Sequence, residues 1–112
     1  MQLTREIISI KTQEKVVQVR FIPSQDILTA NEQSLIQETN DPTLIARAQK
    51  LKAWDMDIDL IYLGGVVDKL GTIAKIEEVQ RSEAVDAINA ETASIRALLS
   101  DYDQISLLEG LN

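Results

Sequence analysis

The sequence predicts an α+β fold, mainly helical, in which an N-terminal β-hairpin is followed by a short helix and a long antiparallel helical hairpin. Three observations carry this expectation. β-Branched residues crowd the segment that ends at Pro23, helix-start signals recur at Thr29 and Asp41, and residues 66–110 contain no proline and are rich in Ala, Glu, Leu and Ile. At 112 residues the chain is one domain, of a size that buries roughly two thirds of its unfolded surface around a single core. Aromatics make up only 4 % of it, so that core must be built from Ile, Leu, Val and Ala, which favours helix packing over a sandwich.

The hairpin is expected within 1–23. Residues 5–22, REIISIKTQEKVVQVRFI, read as two strands interrupted at Thr12 to Glu14, with Val17, Val19 and Phe21 on one face and Ile8 and Ile10 sharing another. Pro23 closes the second strand because it has no N–H for a ladder. A two-stranded hairpin alone is marginal in water, so its apolar face needs a helix, a third strand or another chain.

Residues 24–41 form an acidic connector with a short helix, opened by Thr29-x-x-Glu32 ahead of Leu35 and Ile36, the spacing of a capping box. Residues 42–112 are expected to form the helical hairpin. Asp41 can cap its first arm and Pro42 can take the first helical position, where a missing N–H costs nothing. Leu44, Ala48 and Leu51 follow at helical spacing, which supports a helix from 42 to at least 53.

The stretch WDMDIDLIYLGG, residues 54–65, admits two readings. As a strand it places Trp54, Met56, Ile58, Leu60 and Tyr62 on one face and Asp55, Asp57 and Asp59 on the other. As a continued helix it keeps an apolar face of Leu44, Ala48, Leu51, Ile58, Ile61 and Tyr62. The alternation alone prefers the strand. Context favours the helix, because no turn residue lies between Leu44 and Leu63 and Gly64-Gly65 is a natural stop, so the helix is expected to run to the glycines and bend there.

In the second arm Leu70, Ile73 and Ile76 start an apolar stripe, and Ala84, Ile88, Ile95, Leu98, Tyr102 and Ile105 continue it, broken by Glu91 and out of phase between Ile76 and Ala84. One long or once-kinked helix fits this better than an ideal coiled coil. Gly110 is placed to end it.

The chemistry excluded is extensive. The chain has no cysteine and no histidine, so thiolate nucleophiles, disulfides, thiolate metal sites and serine–histidine catalysis are impossible. The three alternating aspartates fail as a calcium loop, since the sixth and twelfth positions counted from Asp55 are Leu60 and Val66 instead of Gly and Glu. Gly64, Gly65 and Gly71 fit no phosphate-cradling spacing. No catalytic, cofactor-binding or metal site is expected, and the protein is not expected to be an enzyme.

A net charge of -7 opposes direct nucleic-acid binding, although residues 1–23 alone are net positive. The start of the sequence lacks a signal-peptide core, and its longest apolar run falls far below the ~20 residues that cross a bilayer. The expected location is the cytoplasm or an intracellularly assembled particle, away from membranes.

The function these features predict is that of a non-catalytic structural or assembly subunit, packing into a homo-oligomer or a larger complex such as a virus particle. Its partners are then copies of itself or other protein subunits. Expected contacts are Val17, Val19 and Phe21 on the hairpin, Trp54, and Ile88, Ile95, Leu98, Tyr102 and Ile105 on the long helix. The alternative is a small acidic regulator that binds a basic partner or mimics nucleic acid through Glu77, Glu78, Glu83, Asp86 and Glu91.

Overall fold

A computed structural model describes residues 1–11, 13–14, 16–59 and 69–110, apart from the side chains of 59, 69–79 and 106–110. Its elements are β1 (Leu3–Lys11), β2 (Val16–Pro23), α1 (Ala30–Thr39), α2 (Pro42–Lys50), β3 (Trp54–Asp59) and α3 (Lys69–Gly110). The strands form one antiparallel sheet in the order β1-β2-β3, with β2 in the middle. The fold is mixed α+β with a long C-terminal helix, and the N-terminal hairpin and short helix form where the sequence places them.

The expected helix through Leu63 does not form. α2 stops at Lys50, capped by Leu51 in the right-handed helical region, whose N–H donates to the Ala48 carbonyl while the Lys52 N–H donates to that of Gln49. No glycine is needed for that ending, so the absence of a turn residue was no argument for continuation. Trp54, Met56 and Ile58 then pair with Phe21, Val19 and Val17, while Asp55 and Asp57 lie opposite Arg20 and Gln18. Pairing with β2 buries one face of the segment and leaves the carboxylates in water, an arrangement that local helix preference cannot match. Within 42–112 the described residues therefore form helix, strand and helix instead of a helical hairpin. The proposed bend at Gly64-Gly65 lies outside the described residues.

Both short helices begin as their sequences dictate. The Thr29 hydroxyl accepts from the Glu32 N–H at 3.1 Å and the Glu32 carboxylate accepts from the Thr29 N–H at 2.9 Å, a complete capping box. Asn40 ends α1 at φ 52°, a left-handed position that Asn tolerates better than most residues. Asp41 caps α2 by accepting from Thr43 and Leu44, with Pro42 in the first turn.

The core lies between one sheet face and the three helices. Val17, Val19, Phe21, Leu3 and Ile58 supply the sheet side; Leu28, Ile36, Leu44 and Leu51 come from the connector and short helices. α3 contributes Ala84, Ile88, Ile95 and Leu99, spaced by four or seven. Thr92 is also buried and donates its hydroxyl to the Ile88 carbonyl at 2.7 Å.

Charged side chains tie α3 to its neighbours. Arg81 donates to the Leu3 carbonyl and lies over the Phe21 ring, 5.8 Å from its centroid. Arg47 on α2 bonds Glu91 at 2.5 Å and Ser94 at 2.8 Å, and Arg96 bonds Glu32 on α1 at 2.7 Å. Among the described side chains of α3, those that reach the core or a neighbouring element run from Gln80 to Leu99.

Candidate functional site

The water-facing side of the sheet answers what the aspartates do. Arg20 on β2 lies between Glu6 on β1 and Asp55 on β3 and bonds both Asp55 carboxylate oxygens, at 2.7 and 3.1 Å. The guanidinium holds the Asp55 carboxyl below its ordinary range, and the carboxylate raises Arg20 in return. Asp57, opposite Gln18, is exposed. Among the described residues no group of three or more Asp or Glu side chains is placed to hold a metal ion.

A cleft of about 260 Å³ opens between the end of β2, the connector, α1 and α2. Ile27, Leu28, Ile36 and Leu51 form apolar wall, and the amides of Gln25, Gln33, Gln37 and Gln49 surround it with Asp26 and Lys52. Gln33 already donates to the Leu28 carbonyl at 3.0 Å. The lining offers hydrogen bonds and apolar contact and carries no nucleophile with an adjacent base.

Among the described side chains, three of the exposed large apolar residues, Ile7, Ile8 and Ile10, lie together on β1. Its pairing with β2 shifts between Ile7 and Ser9, a β-bulge that inserts Ile8 as an extra residue. Ile7 then stands opposite Val19 and Ile10 opposite Val17, both on the sheet face that carries the core. The sequence pattern had paired Ile8 with Ile10 on one face; the bulge replaces that pair with Ile7 and Ile10. These two are 56 % and 60 % exposed, and Ile8 is also exposed, so the helices cover the β2 portion of this face and leave its β1 border open. The strand is also an edge, with no strand beyond it among the described residues.

Of the expected contact residues, Val17, Val19, Phe21, Ile88 and Ile95 are buried in the chain's own core. Trp54 and Tyr102 are half-buried. Leu98, at 43 %, and Ile105, at 56 %, are exposed on the far part of α3, while the neighbouring Leu99 takes the core position at 4 %. In the acidic run Glu83 and Asp86 face water, Glu91 is bound to Arg47, and the side chains of Glu77 and Glu78 lie outside the description.

Sequence reasoning missed Ile7 and the Arg20–Asp55 pair. Cross-strand register creates both, and no local pattern encodes it. Among the described residues no helix is long and apolar enough to cross a membrane.

These features define a small α+β protein with a one-sided antiparallel sheet, a projecting helix and an open apolar edge. No protein-family model matches the chain, and no curated protein or solved structure matches it either.

Proposed function

We propose that the protein is a non-catalytic structural or assembly subunit that acts by packing against other protein chains, in a homo-oligomer or in a larger complex such as a virus particle. The observation that carries this reading is the cluster of Ile7, Ile8 and Ile10, all exposed on an edge strand. Unpaired backbone groups beside apolar side chains are an invitation to another chain, and contiguous exposed apolar surface marks interaction sites. Leu98 and Ile105 add a second exposed apolar area on α3.

The test is light scattering coupled to size-exclusion chromatography across a range of concentrations, together with native recovery of the protein from its source. Species larger than a monomer, or a stable complex with other subunits, are expected. A chain that stays monomeric throughout and is recovered alone would overturn the proposal.

A further inference from the structure

We propose that β1 pairs antiparallel with β1 of a second copy, placing Ile7 opposite Ile10 of that copy and Glu6 opposite its Lys11. The inference rests on the assembly reading and names the partner and register for one of its surfaces.

The argument starts from which backbone groups point off the sheet. The Ser24 N–H donates to the Gln2 carbonyl at 3.0 Å. The alternation of an antiparallel ladder then turns Gln2, Thr4 and Glu6 towards β2 and Leu3 and Ile7 towards the open edge. Pro23 agrees with this phase: it has no N–H and sits opposite Leu3, where the ladder needs none. Beyond the bulge Ile10 shares the direction of Ile7, because their partners Val17 and Val19 are two residues apart on β2. Arg81 occupies the Leu3 carbonyl, so the edge available for pairing lies further along, around Ile7 to Ile10.

The side chains make this stretch complementary to itself. Ile7 and Ile10 share the core-bearing face, so each would meet the other residue of the second copy and extend the apolar surface over both sheets. Glu6, opposite Arg20, and Lys11, opposite Val16, share the water-facing side. The same register therefore sets Glu6 against Lys11 twice, once on each side of the two-fold axis. Among the described residues Lys11 pairs with Glu14 at 3.9 Å, both well exposed, a contact weak enough to exchange.

Charge also selects this edge over the other. β3 carries the exposed Asp55 and Asp57 at alternate positions, so its pairing with a second copy would set carboxylate against carboxylate. The hairpin is net positive in a chain of net charge -7, so two copies meet there with the least repulsion.

The absence of native cysteine makes the register directly readable. In this pairing residues 6 and 11 form a non-hydrogen-bonded pair with Cα atoms about 4.5 Å apart, inside the disulfide range of about 4.4–6.8 Å. Two copies of residue 6 would lie five positions apart, about 16 Å, far outside it. Mild oxidation of a mixture of Glu6→Cys and Lys11→Cys chains is expected to give a disulfide-linked dimer, and either variant alone is expected to give none. In parallel, E6K and K11E should each lose the dimer peak at concentrations where the unaltered chain is dimeric, and E6K/K11E should recover it, with circular dichroism confirming that all remain folded.

Larger species without the mixed cross-link, or cross-linking of Glu6→Cys with itself, would overturn this pairing and leave the assembly reading standing. The same holds for a chain that is monomeric alone but recovered in a complex with other proteins. A monomer recovered alone overturns both.

Discussion

Glu32 does two tasks with one carboxylate, closing the capping box of α1 and accepting from Arg96 on α3. The Arg96 guanidinium is the main reason its pKa falls from 4.5 to about 2, with the Thr29 N–H adding to the same effect against the penalty of burial. Because the folded-state value lies below the unfolded one, the stabilisation is fully present above about pH 4.5 and is lost as pH falls towards about 2. Urea unfolding followed from pH 6 to 2.5 should therefore show a smaller acid-side loss for Glu32→Gln than for the unaltered chain; equal slopes would refute the linkage. At residue scale the core also decides between neighbours. Leu99→Ala should cost about 2–5 kcal/mol, as deletions at buried leucines do. Leu98→Ala should stay within about 0.5 kcal/mol, because its side chain faces water. The apolar stripe read from the sequence takes Leu98, because its three- and four-residue steps are counted across the break at Glu91, whereas the buried line passes through Thr92 and Leu99. The structure explains the break: Glu91 lies at the margin of the core, where Arg47 holds it.

The elements that were legible in the sequence are those whose signals are local. Thr29 with Glu32, and Asp41 with Pro42, satisfy helix N–H groups within a few residues, so their meaning survives without knowledge of the fold. The β1–β2 hairpin was legible for the same reason, through its dense β-branched residues. β3 was legible only as one of two readings, which its alternation favoured and its context opposed, because the choice is settled by a partner more than thirty residues earlier: Val17, Val19 and Phe21 supply the buried face and Arg20 the counter-charge. The bulge at Ile8 was equally hidden, since register belongs to the pair of strands. A substitution distinguishes strand from helix here. Asp57 is exposed and faces Gln18 across the ladder. In a strand, Asp57→Thr replaces a poor β-former with a good one and should stabilise by up to about 1 kcal/mol. In a helix the two residues have nearly equal propensity and the change should be close to neutral. Chemical denaturation separates these outcomes, and an unchanged midpoint would count against β3.

At the scale of the whole molecule the chain is elongated. Its radius of gyration is 18.2 Å, against about 13 Å for a compact domain of this length. The cause is α3, whose 42 residues at about 1.5 Å each span about 63 Å and match the longest dimension of 67 Å. The packing leaves a border of isoleucine at one place and exposed Leu98 and Ile105 at another, so folding of the single chain does not use all the apolar surface it carries. Mass action turns this into a measurement. If a second copy covers β1, the folded dimer is favoured as concentration rises, and the thermal midpoint should climb with it. Ile10→Lys should remove that dependence. At 60 % exposure Ile10 contributes little to the monomer's own packing, so the variant should melt at the midpoint the unaltered chain shows at high dilution. A midpoint that rises equally in both proteins would locate self-association on another surface, with the far part of α3 and its exposed Leu98 and Ile105 next to be altered.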